Sequence, residues 1–325
     1  MQRAPLSAFL ASYGLAPERV RLVAQLDCDV YRIATSDASR SDLSLRIYPA
    51  TQHDLAPIAA ELAWLSALAT GGVHVPRPLP DESGQFIRMW QTDPAAPPRH
   101  AVLLTWLNGR MHDRGLTPER LRRIGTLTAQ LHRTAAELTQ TGAITTTRLA
   151  CKTDLALWAH GRRPGTARLS KRLLALTRPA AQRLLDDLAA FPQDPSAFGF
   201  IHGDLHPWNI LFARDVAGAI DFSDCGWGHF AMDLAASLQY LKFPLADNAD
   251  HRPQYARLHD SLLEGYASVR ALPPGVERQT AVLMVARLFM TLEWILDDWP
   301  ALDHRAWGPG FLLGIEGALR GYLAS

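Results

Sequence analysis

The chain has three cysteines in 325 residues, Cys28, Cys151 and Cys225, few, odd in number and far apart. That usage excludes a Cys-rich zinc module and suits a reducing compartment better than a disulfide framework. Neither sign of charge is in excess, with 33 basic residues against 32 acidic ones, so nothing directs the chain to nucleic acid or to an anionic membrane. There is no unbroken run of about 18 apolar residues of the kind that spans a bilayer. The apolar stretch 280–296 is interrupted by Arg287 and Glu293 and reads as a packed helix. The first residues lack the apolar core of a signal peptide, so the expectation is a cytoplasmic protein. Gly-x-Gly-x-x-Gly and Walker-type loops are also missing, which removes the two usual signs of a backbone that cradles phosphate.

What is present is a hydrophobic fraction of 48%, enough for one large domain or two lobes with cores of their own. Residues 20–25, 30–35 and 43–48 read as strands separated by polar turns. Leu55, Ile58, Leu62, Leu65 and Leu68 then recur at helical spacing until Gly71-Gly72, which end the helix. The Pro-rich segment 76–80 reads as irregular, and 86–90 and 101–105 as two more strands. The first third is thus expected to be a five-stranded antiparallel sheet with one helix inserted after the third strand. Past Asn108-Gly109 the pattern turns helical. Thr117 caps a helix with Pro118 in its first turn and Leu121, Ile124, Leu127, Leu131 and Leu138 as its stripe. Further helices are expected near 154–160, 170–190, 231–240, 254–269, 280–298 and 310–323. Short strands are expected at 198–201, 210–212 and 217–220. The fold class is α+β: a small antiparallel β-lobe, residues 1–106, and a larger mostly helical lobe, residues 107–325.

The most informative stretch is Ile201-His202-Gly203-Asp204-Leu205-His206-Pro207-Trp208-Asn209, followed by Ala219-Ile220-Asp221-Phe222. A tight turn at 213–216 makes a hairpin that brings Asn209 and Asp221 to the same end. Carboxylates gathered there are costly without a cation, and hard oxygen ligands favour Mg²⁺ over Zn²⁺. One carboxylate to accept a hydroxyl proton, plus an Asn and an Asp to hold Mg²⁺ on phosphates, is what phosphoryl transfer by a kinase requires. His202 and His206 stand four apart and suggest a zinc pair, but Pro207 makes the segment a loop, and helical spacing does not apply.

His202-Gly203-Asp204-Leu205-His206-Pro207-Trp208-Asn209-Ile210-Leu211, with Ile220-Asp221-Phe222-Ser223-Asp224-Cys225-Gly226 and Asp233-Leu234-Ala235, resembles the aminoglycoside phosphotransferase/choline kinase family. Within it the chain is most similar to the branch holding type II homoserine kinases and bacterial stress-response Ser/Thr kinases. The resemblance implies a two-lobed protein-kinase-like fold with ATP or GTP between the lobes. Carried onto this sequence, it makes Asp204 the catalytic base and Asn209 and Asp221 the Mg²⁺ ligands. Asp233 and His202 support the catalytic loop. Asp224 either touches a second metal or the acceptor, or simply caps its loop.

On the nucleotide side, kinase logic asks for a basic residue on the third strand paired with a helix Glu. The strand offers Arg46 rather than Lys, and Glu61 lies at the edge of the helix stripe. Arg is larger, planar and bidentate, so phosphate placement shifts. The turn at 25–31 contains no Gly, so its backbone approaches phosphate less freely, and Cys28 within it reads as a plain turn residue. The segment 103–107 aligns with the hinge that holds adenine through its backbone, which places Thr105 and Leu107 there. On the acceptor side, Glu293, Asp297, Asp298 and Asp303 cluster with Trp294, Trp299 and Trp307. They read either as a receiver for an amine or as an exposed acidic helix end over core Trp residues. The expected partners are a nucleotide and a hydroxylated acceptor: an amino alcohol, an aminoglycoside-like molecule or a protein Ser/Thr. The rival reading, motivated by Arg46 and the Gly-free turn, is a nucleotide-binding pseudokinase that works as a binding module.

Overall fold

Strands β1 (Pro17–Gln25), β2 (Asp29–Thr35) and β3 (Leu43–Ile47) form an antiparallel meander, and β6 (Arg99–Thr105) lies beside β3. This computed structural model describes residues 6, 9–15, 17–25, 28–35, 42–52, 54–91, 95–112, 115–150, 153–242, 252–297 and 308–325. Two further strands, β4 (Pro78–Leu79) and β5 (Ile87–Trp90), pair with β6. The sheet therefore has six strands where the sequence suggests five. The additional one is the Pro-rich segment read as irregular. Pro is tolerated because Pro78 opens a two-residue edge strand, where its missing N–H breaks no ladder.

The period of two in these strands sorts the residues onto two faces. Leu43, Leu45, Ile47, Ala101 and Leu103 pack with Ile33, Phe9, Leu10 and Trp90 into one buried cluster. The cross-strand pairs Ser44–Leu104 and Arg46–Val102 occupy the opposite face, where Val102 and Leu104 join the main core with α1 (Ala56–Thr70). That helix ends where Gly71 ends the periodicity.

The remainder is built mainly from α2 (Pro118–Gln140), α3 (Leu155–Ala159), α4 (Lys171–Ala189), α5 (Ala231–Lys242), α6 (Tyr255–Ala267), α7 (Val276–Asp297) and α8 (Gly308–Ala324). Thr117 caps α2, its hydroxyl accepting from the Arg120 N–H at 3.3 Å. Helix α7 is long and apolar enough to cross a bilayer, but most of it is packed inside the protein. Helices α2 and α6 cross with their backbones in contact. A Cβ at Gly125 would lie 2.0 Å from the Leu262 carbonyl oxygen, and one at Gly265 1.9 Å from that of Arg122. Overfilling such a contact costs about 1–3 kcal/mol. Gly265→Ala is expected to lower the urea midpoint accordingly, and an unchanged midpoint would show that the helices part without cost.

Two small ribbons complete the fold. Strands β8 (Ile210–Ala213) and β9 (Val216–Ala219) form a hairpin, and β7 (Phe198–Ile201) pairs with β10 (Gly226–His229). The last strand has no sequence signal because two of its four residues are glycine. The reason is close packing: a Cβ at Gly226 would lie 2.5 Å from the Ala150 nitrogen.

Candidate active site

Strand β7 delivers the chain into His202-Gly203-Asp204, and two devices hold that loop. Gly203 has φ +84°, and a Cβ there would stand 2.6 Å from the Asp224 carbonyl oxygen, so only glycine fits. Asp233, fully buried in the first turn of α5, accepts from the His202 N–H at 2.9 Å and the Gly203 N–H at 2.8 Å. The same carboxylate meets His132 Nε2 at 2.9 Å, and His132 Nδ1 lies 3.0 Å from the Tyr266 hydroxyl. Because a carboxylate only accepts, the His132 proton is on Nε2 and Nδ1 accepts from Tyr266. Burial opposes ionisation of Asp233, but the hydrogen bond from His132, with that from the His202 backbone, holds its carboxyl below the ordinary value. Burial lowers the His132 imidazole.

His202 ties the loop to the next strand. Its Nδ1 accepts from the Asp204 N–H at 3.3 Å, so the ring donates from Nε2 to the Ile220 carbonyl at 3.0 Å. With both nitrogens committed, His202 has no lone pair for a metal. His206 is similarly employed. Its Nδ1 accepts from the Trp208 N–H at 3.2 Å, which leaves Nε2–H facing Asp204 Oδ2 at 3.2 Å.

The β8–β9 hairpin sets Ile210 opposite Ala219, and the Ile220 N–H donates to the Asn209 carbonyl at 3.0 Å. Asn209 and Asp221 thus stand together at one end. The Asn209 amide nitrogen donates to the Asp204 carbonyl at 2.9 Å, which leaves Oδ1 to meet a cation. Asp221 is exposed and sits at φ 62°, a left-handed backbone rare outside glycine. Such strain concentrates at functional sites. Its Oδ1 accepts from the Ser223 hydroxyl at 2.9 Å. An amide oxygen and a carboxylate with room for phosphate and water fit Mg²⁺. Among the described residues no group of three or more His, Cys, Asp and Glu is arranged to hold a metal.

Asp204 keeps about a third of its side chain in solvent and has both oxygens engaged. Oδ1 accepts from Arg287 Nη2 at 2.7 Å, and Oδ2 faces His206. Burial works against its charge, but His206 and Arg287 outweigh it and hold the carboxyl far below the usual carboxylate range. Arg287, buried on α7, also donates from Nε to Gln239 Oε1 at 2.8 Å and from Nη1 to the Gly203 carbonyl at 3.1 Å. In the sequence this residue is only an interruption of an apolar helix. The available signal was that a charge inside such a helix must be paired.

Across the cleft, Arg46 Nη1 meets Glu61 Oε1 at 2.6 Å, both side chains nearly inaccessible. Burial disfavours the guanidinium charge, but Glu61 and then Tyr48 and Asp221 secure it. Strand β6 ends at Thr105, whose N–H donates to the Arg77 carbonyl while Trp106 N–H donates to that of Asp42. Leu107 is therefore among the first residues beyond the sheet. Asp224 pairs with Arg148 at 3.2 Å.

The acidic cluster near the end of α7 is largely committed elsewhere. Glu293 Oε1 accepts from Trp158 Nε1 at 2.9 Å and from the Asp154 N–H at 3.1 Å, bracing the start of α3. Asp297 pairs with Arg163 at 2.7 Å. Trp294 is 42% exposed, so the core-Trp reading does not hold for it. Asp298, Trp299, Asp303 and Trp307 lie outside the described residues.

A family model described as the phosphotransferase enzyme family matches residues 19–272. A homoserine kinase of Granulibacter bethesdensis is 27% identical over 315 residues, covering 90% of this chain and 86% of that protein. Among solved structures, a microcompartment-associated aminopropanol kinase superposes with a TM-score of 0.75 at 24% identity, covering 99% of this chain and 97% of that one. The amicoumacin kinase hAmiN, in complex with AMP-PNP, Ca²⁺ and Ami, gives a TM-score of 0.76 at 18% identity, covering 98% and 92%.

Proposed function

This chain belongs to the phosphotransferase enzyme family, a kinase with the protein-kinase-like fold, and from that premise we propose that it transfers the γ-phosphoryl group of ATP to the hydroxyl of a small amino alcohol. The observation that supports the reading is the adjacency of Asp204, Asn209 and Asp221: the Asn209 amide donates to the Asp204 carbonyl, the β8–β9 hairpin sets Asp221 beside Asn209, and Asp233 clamps the loop. Asp204 orients the acceptor hydroxyl and receives its proton. Asn209 Oδ1 and the Asp221 carboxylate would hold Mg²⁺, which would neutralise charge on the phosphates. Arg46, kept straight by Glu61, contacts the non-transferred phosphates. Thr105 and Leu107 offer backbone groups to the base.

The acceptor class is supported by what the relatives act on. Homoserine and aminopropanol are both small alcohols carrying an amine, and the kinases named for them resemble this chain over most of its length. For the ammonium, Glu293 and Asp297 are the less available contacts, since each already has one carboxylate oxygen engaged, by Trp158 and by Arg163. The exposed Trp294, on the same face of α7 as Arg287, is the better-placed contact. The rival reading as a pseudokinase loses its first ground, because Arg46 occupies the buried pair with Glu61.

A transfer screen with ATP and GTP in parallel tests the assignment. The acceptors are homoserine, aminopropanol, an aminoglycoside and a generic Ser/Thr protein. At least one amino alcohol is expected to exceed the protein substrate in kcat/KM by about 100-fold or more, the size of discrimination that a fitted polar site provides. Transfer to the protein at a rate equal to the best small acceptor would overturn the amino-alcohol assignment.

A further inference from the structure

Three guanidiniums each pair with an acidic residue of the candidate site, and two are fully committed. Arg46 is tied to Glu61. Arg287 places Nε, Nη1 and Nη2 on Gln239, Gly203 and Asp204. The third, Arg148, is different. Its side chain is 22% exposed, its Nη2 makes a long 3.2 Å contact to Asp224, and its Nε is buried with no partner. A mostly buried guanidinium left half-satisfied is costly and calls for an explanation.

The backbone beneath it is held firmly. The Trp227 N–H donates to the Arg148 carbonyl at 2.8 Å, and the Ala150 N–H donates to the Trp227 carbonyl at 2.9 Å. Trp227 Nε1 donates to the Thr146 carbonyl at 2.7 Å. This close approach is the reason for glycine at 226. The loop is therefore locked to β10, which begins two residues after Asp224 and five after Asp221. The guanidinium is also near enough to the buried Glu61 that, with burial raising that carboxyl and Arg46 opposing, the Arg148 charge adds to the opposition. It pairs with Asp224, three residues after Asp221, in a chain whose catalytic loop carries no Lys or Arg.

We propose that Arg148 is a catalytic residue that binds the phosphoryl group in transit, with Asp224 holding its guanidinium in readiness. This rests on the phosphotransfer reading of the cleft but not on which acceptor is used. In the step, a lone pair of the acceptor oxygen forms the new bond to Pγ as the bond from Pγ to the bridging oxygen breaks. That electron pair leaves on the nucleoside diphosphate, and the hydroxyl proton passes to the Asp204 carboxylate. Charge spreads over the three equatorial oxygens of the group in flight. A planar guanidinium engaged only through one long Nη2 contact can turn its Nη1–H and Nη2–H fork to those oxygens.

The test compares binding of the β,γ-imido analogue of ATP with binding of ADP, both with Mg²⁺, by calorimetry on the full chain. Arg148→Gln is expected to leave ADP affinity within about threefold while lowering the preference for the triphosphate analogue about tenfold or more, the size of a lost charge-assisted bond. On whichever acceptor turns over, kcat is expected to fall by about 10²–10³ with acceptor KM little changed. If the preference for the analogue is unchanged, or if both affinities fall together with the melting temperature, Arg148 only anchors its loop and the proposal is wrong. Arg148→Lys guards against a misfolded Gln variant. It is expected to melt like the wild type and lose at least about threefold of the preference, since an ammonium cannot present the fork; full preference in that variant also refutes the idea. A wild-type chain that binds neither nucleotide would instead overturn the nucleotide reading of the cleft, and this proposal with it.

Discussion

Asp204→Asn is expected to lower kcat by about 10³-fold while leaving nucleotide affinity within a few-fold of wild type, in line with the loss of a positioned general base. The argument starts from the two oxygens. Oδ1 is held by Arg287 at 2.7 Å and Oδ2 faces His206 Nε2–H at 3.2 Å, so the carboxylate is oriented before any acceptor arrives. The amide keeps the shape and still offers Arg287 an oxygen, but its NH₂ points a donor at either His206 or the acceptor hydroxyl. It cannot receive a proton. Ala is the less informative change, because it strands the buried Arg287 charge and adds a stability loss of about 1–3 kcal/mol that has nothing to do with chemistry. Steady-state kinetics on the best acceptor, with ADP binding measured separately, checks the result. An Asn variant within tenfold of the wild-type kcat would remove Asp204 from the base role, and the proton would then leave through the phosphate or solvent.

Asp204, Asn209 and Asp221 are legible in the sequence because their geometry is local. The first two are five positions apart, and a two-stranded hairpin with its turn at Arg214–Asp215 joins the others. The sheet and its inserted helix are legible for the same reason, since alternation and helical spacing are short-range patterns. What escaped depends on contacts across the chain. Arg287 finds Asp204 83 positions away, and His132 finds Asp233 101 positions away. In the sequence one looks like a break in an apolar helix, and the other carries no signal beside the leucine stripe of its helix. Glu293 and Asp297 look free because their partners, Trp158 and Arg163, are 135 and 134 positions distant. Strands β4 and β10 were missed through composition, one beginning with Pro and the other half glycine. In both, a tertiary requirement overrides β-propensity.

Asp233→Asn is expected to destabilise the protein by about 3 kcal/mol or more, through loss of a buried ionised acceptor. The carboxylate receives three donors, from His202 N–H, Gly203 N–H and His132 Nε2–H, at 2.9, 2.8 and 2.9 Å. An amide has one oxygen to offer them and must aim its NH₂ at one of the remaining donors, in a place with no water access. Activity falls with stability, because the same bonds fix the backbone on which Asp204 stands. The network also predicts how stability varies with pH. His132 is buried and lowered, so it stays neutral when folded, whereas an unfolded imidazole protonates near about 6.5. Below that pH the unfolded chain binds more protons, and stability falls as the pH drops through the window between the unfolded and folded values. Asp233 acts at lower pH. Its contribution is complete above about 3.9 and disappears as the pH falls through its depressed folded value. His132→Gln separates the two, since a Gln amide can still donate to Asp233 and accept from Tyr266 without titrating. Melting curves from pH 7 to 5.5 are expected to show a decline in the wild type that is shallower in His132→Gln. Some slope should persist because burial also lowers His229. Parallel curves for the two proteins would mean that His132 carries no proton-linked share of stability, and that Asp233 alone holds the catalytic loop.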